Sequence, residues 1–84
     1  MRKYTVSFKT YPYFWELSKS GGKPFDIRLY DPDDERFKIL NEHWQDCKIE
    51  FVNTETGEKF SRDIIRYHGL YSEYRLDNWV VIFF

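Results

Sequence analysis

Gly21-Gly22-Lys23-Pro24-Phe25-Asp26-Ile27-Arg28-Leu29-Tyr30-Asp31 is the stretch around which the 84-residue chain is organised. Two glycines let the backbone turn without a side-chain penalty, and Pro24 fixes φ on the way out, so a break is expected before residue 25. From Phe25 the residues alternate. Phe25, Ile27 and Leu29 fall on one face and Asp26, Arg28 and Tyr30 on the other, the pattern of a half-buried strand with its apolar set inward. Lys23, Asp26 and Arg28 then gather at the mouth of the turn, where a binding cleft is expected.

Upstream, Tyr4, Val6 and Phe8 alternate with Lys3, Thr5, Ser7 and Lys9, which predicts a strand over 3–9 with one wet face. Pro12 suits the first turn of a helix, and the glycines at 21 and 22 suit its stop, so 11–20 is expected to be a short helix. Downstream, Asp31-Pro32-Asp33-Asp34-Glu35 reads as an acidic, solvated loop without a recognised calcium-ligand pattern. In 36–46, Phe37, Ile39, Leu40 and Trp44 fit either a broken helix or a short extended segment, and irregular structure is expected. Two alternating runs, 48–53 and 59–67, flank Thr54-Glu55-Thr56-Gly57-Glu58 and predict a hairpin. The segment 68–78 reads as a docked loop with a helical turn. The apolar run 79–84 predicts a central strand covered on both faces.

Length and composition fit one domain whose size is compensated by aromatic residues, 21% of the chain. About five strands with one or two short helices predict an α+β, mainly β fold, a small curved sheet or partly closed barrel. Thirteen Lys and Arg against fourteen Asp and Glu leave no global field to steer a polyanion, so any nucleic-acid binding has to come from a local patch. The single cysteine, Cys47, excludes an internal disulfide and a cysteine metal cage and suits a reducing cytoplasm. No apolar run is long enough for a membrane-spanning helix, and the N-terminus lacks a signal-peptide core. A cytoplasmic, monomeric or weakly associating chain with no membrane contact is the expectation.

The run Lys9-Thr10-Tyr11-Pro12-Tyr13-Phe14-Trp15-Glu16 followed by Lys19-Ser20-Gly21-Gly22-Lys23-Pro24-Phe25-Asp26-Ile27-Arg28 resembles the opening of ASCH domains, the activating-signal-cointegrator homology family of the PUA-like superfamily. That family carries Gly-x-Lys-x-x-Glu-x-Arg after its first helix. Gly21, Lys23, Asp26 and Arg28 fall on it, with Asp26 a shortened form of the usual Glu. The chain departs where the family usually has Gly-Asp before its third strand, since Asp46 and Cys47 stand there. The resemblance implies a small PUA-like β-barrel with a cleft beside the signature turn, RNA as partner, and no cofactor. A coactivator-type role is implied in the same way. An enzymatic branch of the superfamily hydrolyses acylated cytidine with a Lys and a Thr of this segment. Lys23 matches the Lys, but Asp26 occupies the Thr position, so the hydroxyl nucleophile is missing.

The candidate RNA or nucleotide-like ligand site is therefore Lys9, Tyr11, Lys23, Asp26, Arg28 and Tyr30. Lys23 and Arg28 suit phosphate or base oxygens as a point charge and a planar fork. Tyr11 and Tyr30 offer stacking faces. Arg28 has a second reading as a brace that pairs with Asp26. Lys23→Ala and Arg28→Ala are both expected to remove binding and spare the fold. His43, His68 and Cys47 are too widely spaced for a recognisable zinc set, so no metal is expected, and Cys47 reads as a small buried side chain. Two other readings stand beside the binding module: an amidohydrolase relative, and a protein-interaction module of a mobile element using exposed aromatics.

Overall fold

In the computed structural model, which describes residues 2–74 and 76–84, the first alternating run forms β1 (Tyr4–Thr10). Val6, Phe8 and Thr10 are buried, while Thr5, Ser7 and Lys9 are exposed. Helix α1 (Pro12–Ser20) begins with Pro12 in its first turn and ends where Gly21 adopts φ +87°, the left-handed conformation that glycine takes without a Cβ penalty. The Lys23 amide returns to the Leu17 carbonyl at 3.1 Å, which closes the turn and starts the next strand at Phe25.

That strand, β2 (Phe25–Leu29), presents the opposite face from the one its alternation suggests. Asp26 is 3% exposed, whereas Ile27 and Leu29 are 48% and 50% exposed. An alternating pattern gives two faces without saying which is inward, and here the inward polar residues are satisfied. Asp26 binds both Lys23 and Arg28, so the cost of burying a carboxylate is offset.

The segment 36–46 is helical rather than irregular. Asp34 is the N-cap of α2 (Glu35–His43), its carboxylate accepting from the Arg36 amide at 2.9 Å. Phe37 and Leu40, one turn apart, are the buried contacts of this helix. Its apolar face is too narrow to show as a period, and the cap is what defines its start. A 3-10 turn at Trp44–Asp46 then leads into β3 (Cys47–Asn53).

Strands β3 and β4 (Lys59–Asp63) form the expected antiparallel hairpin. The Asn53 side chain accepts the amides of Glu55 and Thr56, and Gly57 supplies a positive φ of 76°. The second run does not continue as one strand to residue 67. The Ile64 amide donates to Cys47 of β3 and the next amide, of Ile65, donates to Phe83, so the chain changes sheet between two residues. Beyond this corner lie β5 (Arg66–Ser72) and β6 (Asp77–Phe83), paired antiparallel through a turn containing Glu73, Tyr74 and Leu76. Most of 68–78, expected as a loop with a helical turn, is therefore hairpin; residue 75 lies outside the described residues.

The described residues form an α+β, mainly β fold of six strands in two sheets with two helices. One sheet has the order β1-β3-β4, with β1 parallel to β3, and the other β2-β6-β5. Among the described residues no strand pairing joins β1 to β2, so the sheets do not close into a barrel. Strand β6 is central, as expected. Its Val80 and Ile82 are buried in the shared core, and outward Val81 is covered while Trp79 and Phe83 are half-buried. Val6, Phe8, Trp15, Leu40, Ile49 and Phe51 fill the same core. The Trp15 indole donates to the Phe51 carbonyl at 3.2 Å and meets Phe60 edge-on, which docks α1 on β3.

Ser18, on the buried side of α1, has a hydroxyl with no hydrogen-bond partner among the described residues. Replacing it with alanine removes a desolvated polar group and adds helix propensity. Ser18→Ala is expected to raise stability by about 1 kcal/mol in urea unfolding.

Candidate functional site

Beta strands leave one edge of β1 without a strand partner, and the side chains of two arginines reach it. Arg28, on β2, donates to the Lys9 carbonyl at 3.4 Å and to Thr10 Oγ1 at 3.3 Å. Arg36, in the first turn of α2, donates to the Ser7 carbonyl at 2.9 Å. Both guanidinium groups also lie on the ring of Phe8, their carbons 4.7 and 4.3 Å from its centroid, within cation–π range.

Each arginine is held by an aspartate two residues before it. Arg28 Nε is 2.5 Å from Asp26 Oδ2, and Arg36 Nη2 is 2.5 Å from Asp34 Oδ2. The pair at 26 and 28 is the inward face of a strand, whereas the pair at 34 and 36 is a helix cap. The side-chain hydrogen bonds from Arg36 hold the Asp34 carboxyl below its ordinary value against the opposing effect of burial, and the same bonds raise the Arg36 guanidinium.

Beside Arg28 the seam opens into a cavity of about 500 Å³. Lys9, Tyr11, Lys23, Asp26 and Arg28 all line it, joined by Phe14 and by Thr10 and Thr54. Five of the six residues singled out from the sequence thus converge. Tyr11 is the N-cap of α1 and is 72% exposed, so its ring is open to contact. Lys23 Nζ stands 3.6 Å from Asp26 Oδ1 and 5.0 Å from the centre of the Phe14 ring. Three cations and one buried carboxylate line this cavity, which leaves the patch positive on a chain whose formal net charge is −1.

Tyr30 does not belong to this cleft. It follows β2, packs on Phe37 with centroids 5.5 Å apart, and accepts from Asn41 Nδ2 at 3.0 Å on the far side of Arg28. Thr10, Phe14 and Thr54 in the cleft, and Arg36 beside it, are not among the residues the sequence singles out. The Asp-x-Arg spacing at 26–28, repeated at 34–36, is the signal that marks Arg36.

Cys47 is fully buried and its thiol is pushed up by burial, which opposes thiolate formation. His43 stacks on Tyr4 at 4.3 Å, and His68 meets the edge of Phe83. No group of three or more His, Cys, Asp or Glu placed for a metal ion occurs among the described residues.

Arg28 is a brace as well as a cleft residue, so its removal does not spare the fold. Arg28→Ala leaves the buried Asp26 with Lys23 alone and should cost about 3 kcal/mol in urea unfolding. Asp26→Asn combined with Arg28→Ala should recover part of that loss; a strictly additive pair would show that the two side chains are uncoupled. Asp34 titrates in the opposite setting, at the surface. Because its folded-state pKa is lowered, its contribution is complete above the ordinary carboxylate value and is lost as pH falls through the folded one. Asp34→Ala should cost about 1 kcal/mol at neutral pH, and the difference from the parent should shrink below about pH 4.

Comparison with protein-family models, with curated proteins and with solved structures gives no match to this chain.

Proposed function

We propose that the chain is a non-catalytic module that binds single-stranded RNA or a nucleotide-like anion in the cleft between β1, the start of α1 and β2. The observation that carries this reading is the gathering of Lys9, Lys23 and Arg28 with the exposed Tyr11 and Phe14 around one cavity. The cations suit phosphate oxygens. The rings suit an unpaired base, whose π-face stacks on an aromatic side chain whatever its identity. The ASCH-like run from Lys9 to Arg28 supports the same reading by resemblance.

Cation count and geometry favour a short ligand over duplex backbone. Arg28 is already engaged by Asp26 and by the edge of β1, so Lys9 and Lys23 carry most of the attraction for incoming phosphate. Hydrolysis of an acylated nucleoside through residue 26 would need a hydroxyl there. Asp26 is instead a carboxylate bound by two cations, which supports binding over turnover.

The test is a nuclear magnetic resonance titration of labelled protein with a short single-stranded RNA, a duplex and an acylated cytidine. Single-stranded RNA is expected to move Lys9, Tyr11, Phe14 and Lys23. With about two phosphates neutralised, affinity should fall with a log–log salt slope of roughly −1.4. Lys23→Ala keeps the Asp26–Arg28 pair and should fold like the parent while weakening RNA binding about tenfold, the loss of one charge-assisted contact. Unchanged binding in a Lys9→Ala, Lys23→Ala double variant would reject the cleft, and turnover of the acylated cytidine would reject the non-catalytic reading.

A further inference from the structure

A second cavity, of about 510 Å³, lies on the inner face of the β2-β6-β5 sheet, over β5 and β6. Its chemistry differs from that of the cleft. Among the described residues, no charged side chain lines it; its walls are Tyr30, Tyr67 and Tyr71 with Asn41, and Val80 forms its buried floor.

Gly69 makes the space. On β5 the inner-face positions are Tyr67, Gly69 and Tyr71, which pair across to Ile82, Val80 and Asn78 of β6. Same-face neighbours in a strand are about 7 Å apart, so the glycine leaves a gap one side chain wide between two tyrosines. A Cβ built at Gly69 would meet nothing within 4 Å, and the glycine does not occupy the left-handed region. Neither crowding nor backbone conformation therefore requires glycine here. A glycine inside a strand gives up packing and backbone entropy, and one reason to find it there is the close approach of a ligand.

Polar groups at the rim are arranged rather than scattered. Asn41 donates from Nδ2 to the Tyr30 hydroxyl at 3.0 Å and accepts on Oδ1 from the Tyr67 hydroxyl at 2.8 Å. A carboxamide has two N–H groups and two lone pairs on its oxygen, so after these bonds Asn41 keeps one donor and one acceptor. Burial and the neighbouring Tyr30 push the Tyr67 phenol up to about 12, so it remains a donor throughout the neutral range.

From these observations we infer that this cavity binds a single nucleobase, held flat over Val80 between Tyr67 and Tyr71 with its donor-and-acceptor edge on Asn41. Absence of charged lining selects an uncharged ring. The amide selects a base over a plain aromatic ring, which would leave the Asn41 groups unpaired. The inference is independent of the cationic cleft, since the two sites share no residue. A base can arrive as a free nucleoside or as an unpaired residue of RNA, and the chemistry of the cavity is the same for both.

The experiment is a titration of the labelled full chain with adenosine, guanosine, cytidine and uridine, with phenol as control and a short single-stranded RNA as a further arm. At least one nucleoside is expected to shift Asn41, Tyr67, Gly69 and Val80 with little dependence on salt. Gly69→Val should fill the gap and weaken that nucleoside at least tenfold while unfolding at the same or a higher urea concentration. Tyr67→Phe should weaken it several-fold by releasing Asn41. Shifts from RNA that reach Gly69 identify the strand as a source of the base; shifts from nucleosides alone identify the free molecule. Millimolar nucleosides that leave these resonances unmoved, equal binding of phenol, or full affinity in Gly69→Val would each overturn the inference. Lys9 and Lys23 report the cleft separately, so failure of one site is distinguishable from failure of the other.

Discussion

Carbonyl groups on the outer edge of β1 accept from no strand among the described residues, and two guanidinium groups donate to them instead. Arg28 and Arg36 reach Lys9 and Ser7 from β2 and α2, and both press on the face of Phe8. A planar fork can bond a carbonyl, pair with a carboxylate and stack on a ring at once, which an ammonium cannot do. On the opposite side the two sheets are joined by the backbone itself, at Ile64 and Ile65. The fold is thus closed covalently along one seam and by side chains along the other. The side-chain seam is where backbone polarity, charge and solvent meet, and the candidate cleft lies on it.

Burial of Asp26 follows from that arrangement. Removing a carboxylate from water is costly unless it is paired, and the cost is offset here by Arg28 at hydrogen-bond distance and Lys23 slightly farther away. Fixing Arg28 in this way orients its fork toward β1 and leaves the outward charge to the lysines. Fold and recognition therefore draw on the same residues, with Arg28 weighted toward the first and Lys9 and Lys23 toward the second. The second cavity has no part in this electrostatic arrangement, and its character comes from tyrosines, an amide and a missing side chain.

Much of this was legible in the sequence where the signal is local. Pro12 and Gly21 delimit α1, Asn53 and Gly57 shape the first hairpin, and the turn at 21–24 brings Lys9, Tyr11, Lys23, Asp26 and Arg28 to one place. What was missed depends on partners distant in the chain. The face of β2 is decided by Phe8 and Thr10, which precede Arg28 by 18 residues or more and give it a reason to point inward. Helix α2 is set by the Asp34 cap more than by its periodicity, so a search for apolar spacing passes over it. The sheet switch at Ile64 is invisible to a pattern of alternation, because both flanks alternate and only the hydrogen-bond partners change. Alternation puts Tyr30 on the same strand face as Arg28, yet it follows the end of β2 and belongs with α2.

The parallel pairing of β1 with β3 has a consequence for how the chain acquires its structure. The two hairpins, β3 with β4 and β5 with β6, join neighbours in sequence and close small loops. By contrast β1 meets β3 across 43 residues, and β2 reaches β6 from near the other terminus. Loop-closure entropy places the hairpins early and the docking of the N-terminal third late. Lys9, Lys23 and Arg28 all belong to that third, so loop-closure entropy favours assembly of the cationic cleft after the two hairpins.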